Sequence, residues 1–240
     1  MTHSAGLETI VGELVTANRI LAQTGVVDAF GHVSARRPDR PDQFLLARNM
    51  APALVKAGDI LTFGLDSELV NGGSERVYLE RFIHGEIYRA RPDVMAVVHS
   101  HSPSIIPFGA VPSAPLKPIF HMAGFLGAAA PVFEIRAVAG EASDLLIRDR
   151  ELGKALAAAL GEASVVLMRG HGSTAVGASL RQAVYRAVYA EVNARLQAEA
   201  LGMGTPIYLT AQEAQAAAAA NDTQLDRAWT FWAERAEAGL

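Results

Sequence analysis

Apolar residues recur every three or four positions near the start of the chain, which predicts an amphipathic helix. The residues with this spacing are Leu7, Ile10, Val11, Leu14, Val15 and Leu21. We therefore expect a helix over about 6–24 that is ended by Gly25 and covers a core with its apolar side.

Short apolar or alternating runs come next, and the turn-forming residues between them indicate that they are strands of a sheet. The segment 37–42, which holds two prolines and two aspartates, is typical of such a turn. The predicted strands are 31–36, 43–47, 60–63, 94–101 and a run that begins at Val165 and ends at His171.

Helical spacing returns between and after these strands. The predicted helices cover about 75–90, 121–129, 149–160, 179–202 and 210–236. The first of them ends before Pro92, because a residue that precedes proline avoids helical angles. Ser179 and Thr210 each stand three residues before a glutamine or a glutamate. This is the capping-box spacing, and it predicts that the last two helices start there.

Two histidines one residue apart close the first long apolar run, and alternation along a strand puts both imidazoles on one face. They are His99 and His101, and a third histidine, His171, stands between two glycines after the second apolar run. Three nitrogens from two strand ends can hold one divalent ion and leave a coordination position open, as catalytic sites do. Taken alone, the pair could also be two hydrogen-bonded surface histidines.

Composition narrows the classes of function. The 240 residues are 50% hydrophobic and include no cysteine, so a metal ion would have to be bound by imidazole and carboxylate. A net charge of −4 without a basic run argues against nucleic-acid binding. The chain has neither an apolar run that could span a bilayer nor a signal-peptide pattern. We expect a cytoplasmic protein without membrane partners, folded as a single domain over 1–240 with a helical tail from about 203.

Four motifs, in order along the chain, resemble those of the class II aldolase/adducin family. They are Gly31-His32-Val33-Ser34-Ala35-Arg36, Glu80 with the helix that ends at Arg89-Ala90-Arg91-Pro92-Asp93, Ala96-Val97-Val98-His99-Ser100-His101, and Gly170-His171-Gly172. The resemblance covers about 7–202. It implies an α/β fold of three layers, α/β/α, with a mixed, largely antiparallel central sheet. It also implies a homotetramer with active sites between subunits.

The resemblance implies a metal site as well. His99, His101 and His171 would bind a divalent ion, which is zinc in most members, with manganese, cobalt or iron also open. Glu80 would complete the site as a ligand or act as its acid/base. His84, one helical turn after Glu80, would support that carboxylate or lie at the edge of the core. A divalent ion acts as a Lewis acid toward the enolate that forms when a bond next to a carbonyl is broken.

The phosphate-binding residues of the family's sugar-phosphate members are absent. Those members have Gly-Asn before the serine, a Thr-Gly loop after the next strand and a Ser-Ser pair before the glutamate, whereas this chain has His32, Arg48-Asn49 and bulkier residues there. A guanidinium suits a carboxylate through paired hydrogen bonds. We expect an unphosphorylated carboxylate substrate held by His32, Ser34, Arg48 and Asn49. Alternatively, Arg48 is a salt-bridged surface residue and His32 a hydrogen-bonded structural one.

Two further residues are candidates for catalysis. His121 stands where aldolases of the family place a tyrosine acid, and a histidine titrates near neutral pH. It could equally be a packed helix residue. Tyr208 lies in the tail region that reaches a neighbouring active site in related tetramers.

These features together predict a metal-dependent carbon-carbon lyase that acts on an unphosphorylated hydroxy- or oxo-carboxylate. The leading prediction is decarboxylation of a dihydroxylated aromatic acid through a metal-stabilised enolate or carbanion, because 32–36 and 44–48 resemble the dihydroxyphthalate-type branch. The alternative is retro-aldol cleavage of a hydroxy-oxo-acid. A dehydratase, an oxygenase and a non-catalytic adducin-like module are further alternatives, the last opposed by the intact histidines.

Overall fold

A seven-stranded sheet forms the centre of the computed structural model, which describes residues 2–238 and their side chains from residue 6 onward. The strands are β1 His32–Arg36, β2 Gln43–Ala47, β3 Ile60–Gly64, β4 Ala96–Ser100, β5 Val132–Phe133, β6 Val165–Met168 and β7 Gly172–Gly177. Their order is β3-β2-β1-β4-β7-β6-β5, and β5 with β6 is the parallel pair among otherwise antiparallel neighbours. The predicted α/β fold with a mixed, largely antiparallel sheet is confirmed.

Helices cover both faces of this sheet. The α-helices of residues 2–238 are α1 Thr2–Gln23, α2 Arg81–Ala90, α3 Ile106–Ala110, α4 Arg136–Ala139, α5 Arg150–Leu160, α6 Leu180–Met203, α7 Ala211–Asp222 and α8 Leu225–Ala238. Short 3₁₀ turns lie at Pro52–Leu54, Ala57–Asp59 and His121–Leu126. No helix in this part of the chain is long and apolar enough to cross a membrane.

Alternation along β4 decides which face carries the histidines. Ala96 and Val98 pack into the core that β4 shares with α1 and α6, while Val97 packs into a second core shared with α2 and α5. His99 stands two residues after Val97 and therefore projects to the same side of the sheet. The histidine face of the sheet is thus the face covered by α2 and α5.

Helix α2 is shorter than the predicted helix over 75–90, because it begins at Arg81. The residues before it are held by the loop after β2 instead of forming helical turns. The hydroxyl of Tyr78 donates to the carbonyl of Met50 at 2.6 Å, and the N–H of Asn49 donates to the carbonyl of Arg76 at 2.7 Å. Glu80 consequently occupies the position just before the helix, where its side chain is not committed to a helix face.

Two other predicted segments differ from the structure. The run that ends at His171 is one arm of a hairpin: β6 turns through Gly170, whose φ is +68°, and returns as β7. The sequence did not reveal β7 because Gly172–Gly177 contains small residues without apolar alternation. The predicted helix 210–236 is two helices, α7 and α8. The break lets α8 pack against α1 and α6 while α7 packs on the 3₁₀ turn that includes His121.

Candidate metal and substrate site

Four side chains that can bind a metal converge at one end of the sheet. His99 is in β4 and His101 follows it, His171 lies in the turn of the β6–β7 hairpin, and Glu80 precedes α2. One ligand atom from each residue lies within 4.8 Å of all the others. The fold therefore brings together the three predicted histidines and the predicted glutamate.

The spacing of these atoms suits a single ion. The Nε2 atom of His101 lies 2.9 Å from Nε2 of His171 and 3.3 Å from Nε2 of His99. Oε2 of Glu80 lies 3.5 Å from Nε2 of His99 and 3.4 Å from Nε2 of His171. Ligands at about 2.0–2.1 Å from a tetrahedral zinc are about 3.3–3.4 Å apart. The donor set and its spacing thus fit a divalent ion.

Backbone carbonyls and an amide orient the donor atoms. Nδ1 of His99 lies 3.1 Å from the carbonyl oxygen of Ser173, and Nδ1 of His171 lies 2.9 Å from that of Leu145. An Nδ1–H that donates to a carbonyl leaves the Nε2 lone pair free for a metal. Oε1 of Glu80 accepts a hydrogen bond from the N–H of Ile147 at 2.9 Å, so Oε2 faces the histidines.

The protonation states of Glu80 and His101 also suit a cation, whereas the raised pKa of His171 favours a proton that an ion would have to displace. Burial alone would raise the pKa of Glu80, but His99 and His171 beside it hold the pKa well below its usual range. Burial and the neighbouring histidines lower the pKa of His101 to about 4. Burial acts to lower the pKa of His171 too, yet Glu80 raises it above the usual value. An ionised carboxylate and a neutral imidazole are the forms that ligate metals.

A cavity of about 320 Å³ adjoins these residues. Its polar wall includes His32, Asn49, Tyr78, Glu80 and His101, and its apolar wall includes Phe30, Met50, Leu79 and Leu146. This volume lies in the range of small-molecule sites, and the mixture of apolar wall and a few polar groups is typical of them. The cavity lies beside the metal-binding cluster, because Glu80 and His101 belong to the cluster and also line the cavity.

The structure separates the four residues predicted to contact substrate. His32 and Asn49 line the cavity. Ser34 is fully buried in β1 behind His32, and its hydroxyl contacts His84 and Tyr88. The Nε of Arg48 donates to Oδ1 of Asp59 at 2.7 Å, with 46% of the arginine side chain exposed, so Arg48 adjoins the cavity through Asn49 but does not line it.

The two further catalytic candidates lie elsewhere in the chain. His121 lines a separate cavity of about 650 Å³, whose wall includes Tyr185 and Trp232. Tyr208 follows α6; its hydroxyl accepts a hydrogen bond from Gln197 at 3.2 Å, and its ring faces the ammonium group of Lys117. Within one chain, neither residue lines the cavity beside the histidines.

Two buried residues of α2 also belong to this region. His84 contacts His32 and Ser34 instead of supporting the carboxylate of Glu80, and Tyr88 contacts Ser34. The sequence analysis missed Tyr88 altogether. The signal was the spacing of four residues between His84 and Tyr88, which puts both on one side of α2.

The chain matches the family model Class II Aldolase and Adducin N-terminal domain over residues 12–198. It is 38% identical to decarboxylase tropJ of Talaromyces stipitatus over 95% of this chain and 94% of that protein. It is 32% identical to a 3,4-dihydroxyphthalate decarboxylase of Arthrobacter keyseri over 85% of this chain and 82% of that one. A solved structure, an aldolase II superfamily protein from Pseudomonas syringae, matches with a TM-score of 0.80 at 23% identity and covers 96% of this chain and 93% of its own.

Proposed function

The chain belongs to the class II aldolase and adducin family, and from this membership we propose that it is a metal-dependent decarboxylase of an unphosphorylated, dihydroxylated aromatic acid. The observation that carries the proposal is the intact Glu80, His99, His101 and His171 cluster beside a cavity with an apolar wall. Similarity to a 3,4-dihydroxyphthalate decarboxylase over most of both chains supports the substrate class. The intact donor set opposes a purely structural module.

Zinc is the proposed ion. A set of three imidazoles and one carboxylate also accepts manganese, cobalt or iron, and the absence of thiolate ligands leaves that choice to affinity and supply. When bound, a divalent ion supplies Lewis-acid stabilisation of the negative charge that develops on substrate oxygens. His99, His101 and His171 would hold it, and Oε2 of Glu80 would complete the donor set while no substrate is bound.

In this proposal Glu80 transfers a proton, and His32 and Asn49 bind the substrate. Because Glu80 is ionised, its Oε2 can take the hydroxyl proton of the substrate on binding and return it to the ring carbon as the carbon-carbon bond to carbon dioxide breaks. The product phenolate then regains a proton from water. His32 and Asn49 are proposed to bind the substrate carboxylate, and the apolar wall of the cavity excludes water from the ring.

The remaining predicted roles extend this proposal. We place Arg48 at the mouth of the cavity. Its Nε donates to Asp59, and its two terminal guanidinium nitrogens would reach a carboxylate of the substrate. We propose a homotetramer in which His121 and Tyr208 approach the cavity of a neighbouring subunit. Their positions away from the cavity of their own chain support this arrangement. A single domain and a cytoplasmic location stay predictions.

The test is to load the protein with zinc, add 3,4-dihydroxyphthalate and follow the release of carbon dioxide and of dihydroxybenzoate. Turnover that is lost with a chelator, restored by zinc and absent in Glu80→Gln supports the proposal. A panel of hydroxylated aromatic acids that yields no carbon dioxide would refute it. Pyruvate released from hydroxy-oxo-acids, detected with lactate dehydrogenase, would instead identify a retro-aldolase.

A further inference from the structure

A string of buried hydrogen bonds runs from His32 into the core below the cavity. Nδ1 of His32 lies 2.6 Å from Nε2 of His84, and Nδ1 of His84 lies 2.6 Å from Oγ of Ser34. Oγ of Ser34 lies 2.7 Å from the hydroxyl of Tyr88. All four side chains are at most 4% exposed. The proposed reaction uses His32 alone among them.

Each contact in this string must contain one hydrogen, because two facing lone pairs or two facing hydrogens would repel each other. Both rings are buried and neither has a carboxylate among its hydrogen-bond partners in the described part of the chain, so a charged imidazole would be uncompensated and both rings are neutral. A neutral imidazole has a single N–H. Two arrangements of hydrogens then satisfy the string with Ser34 as a donor within it, and they run in opposite directions. In a third, His84 and Tyr88 both donate to Ser34, and the buried hydroxyl hydrogen of Ser34 is left without an acceptor among the described residues, which is costly.

In the first arrangement, the hydroxyl of Tyr88 donates to Ser34, Ser34 donates to Nδ1 of His84, and Nε2–H of His84 donates to Nδ1 of His32. The hydrogen of His32 is then on its Nε2 atom. In the second arrangement every bond is reversed, and the hydrogen of His32 is on Nδ1. The two arrangements give His32 opposite properties toward the cavity, as a donor in the first and an acceptor in the second.

Tyr88 distinguishes between them. In the second arrangement its hydroxyl hydrogen needs another acceptor, yet among the hydrogen bonds of the described residues the phenol has no side-chain partner except Ser34. Burial raises the pKa of Tyr88, so its hydroxyl keeps its hydrogen near neutral pH. The second arrangement therefore leaves a buried hydroxyl hydrogen without an acceptor, which is costly.

We propose that His84, Ser34 and Tyr88 are positioning residues that hold His32 in its Nε2–H tautomer, so that His32 offers a hydrogen-bond donor to the cavity. The Nε2 atom has no partner among the described residues and is not sealed from the cavity that His32 lines. A donor at this position selects a substrate that places an oxygen acceptor there, either a carboxylate or a phenolate. This assignment of the substrate group rests on the proposed function, whereas the tautomer does not.

The tautomer is measured without substrate. In zinc-loaded protein with ¹⁵N-labelled histidine, one-bond and long-range ¹H–¹⁵N couplings identify which ring nitrogen carries hydrogen. We expect hydrogen on Nε2 of both His32 and His84, with coupling across the N–H···N bond between them. Hydrogen on Nδ1 of His32, or a cationic His32 at pH 7.5, would overturn the proposal even if the protein proves to be an active decarboxylase.

The kinetic test compares two substitutions at one position. His84→Leu removes the partner of Nδ1 of His32, and we expect the KM for the acid substrate to rise roughly tenfold or more, with a smaller change in kcat. His84→Gln retains an N–H that can donate to Nδ1, and it should recover most of the loss. Equal losses in the two variants would reduce His84 to a packing role and overturn its positioning role.

Leu156→Ala is the matched control for stability. Leu156 is fully buried in the same core cluster as Tyr88 and lies outside the hydrogen-bonded string. Its truncation should lower stability while it leaves KM and both histidine tautomers unchanged. A change of tautomer in this control would show that loss of packing alone moves the hydrogens, and it too would overturn the proposal.

Discussion

Replacement of His84 by glutamine should make the protein less sensitive to acid. His84 is fully buried with a pKa of about 3 in the folded chain, against 6.5 for an exposed histidine. The folded state cannot take up this proton at pH 5, while the unfolded state can. Below pH 6.5 the unfolded state thus binds more protons than the folded state. The contribution of His84 to the free energy of unfolding is therefore fully present above pH 6.5 and is lost as the pH falls toward 3.

The size of the effect depends mainly on the unfolded chain. Between pH 7.5 and pH 5, His84 alone should remove about 2 kcal/mol from the free energy of unfolding, because each pH unit below 6.5 contributes roughly 1.4 kcal/mol. The folded pKa of about 3 lies far enough below 5 that protonation of the folded state contributes little to this difference. Glutamine has no titrating group, so the variant lacks this contribution.

The assay is urea unfolding of metal-free protein at a series of pH values, for the wild type and His84→Gln. Titration of the other groups in the chain affects both proteins, so most of it cancels when the two pH dependences are subtracted. We expect the wild type to lose about 2 kcal/mol more than the variant between pH 7.5 and pH 5. Identical pH dependences would show that His84 is protonated or accessible in the folded state, and would refute the reasoning.

Three other predictions follow from contacts around the site. Glu80→Gln should weaken zinc binding roughly tenfold or more, measured by competition with a chromophoric chelator; unchanged affinity with lost turnover would limit Glu80 to proton transfer. Gly172→Ala should lower the free energy of unfolding by about 1–3 kcal/mol and weaken zinc binding. The reason is that the added Cβ would overlap the carbonyl oxygen of Ser100 between the two histidine-bearing strands. An unchanged urea midpoint would contradict this. Gly124→Ala, whose Cβ would overlap the carbonyl oxygen of Ala214 in α7, should destabilise by a similar amount without a change in zinc affinity, and reduced affinity would link α7 to the metal cluster.

The metal cluster could be predicted from the sequence because its information is local. His99 and His101 follow from strand alternation, and His171 follows from a glycine turn after an apolar run. The position of Glu80 came from the family resemblance, and the structure places it before α2 instead of within a helix. The reason is a contact distant in sequence, the bond from Tyr78 to the backbone of Met50, which periodicity cannot show.

The residues that could not be placed from the sequence depend on sheet register. Ser34 stands two residues after a predicted substrate-binding histidine and on the same face of the strand, yet the packing of α2 leaves it buried beneath that histidine. Of the neighbours Arg48 and Asn49, Asn49 lines the cavity and Arg48 does not. The guanidinium of Arg48 is bound by Asp59, the residue just before β3. The sequence indicates which types of residue are available, whereas cross-strand pairing decides which of them reach the cavity.

Helix α2 links the metal cluster to the hydrogen-bonded string through its register. Glu80 at its start reaches the histidines of the cluster, and His84, one turn on, reaches His32. Two close backbone approaches fix the helix: a Cβ at Gly85 would overlap the loop after β3, and a Cβ at Gly153 of α5 would lie 2.6 Å from the carbonyl oxygen of Phe82. A shift of α2 would displace the carboxylate and the histidine contact together. We therefore expect metal affinity and the orientation of His32 to change together in variants that displace α2.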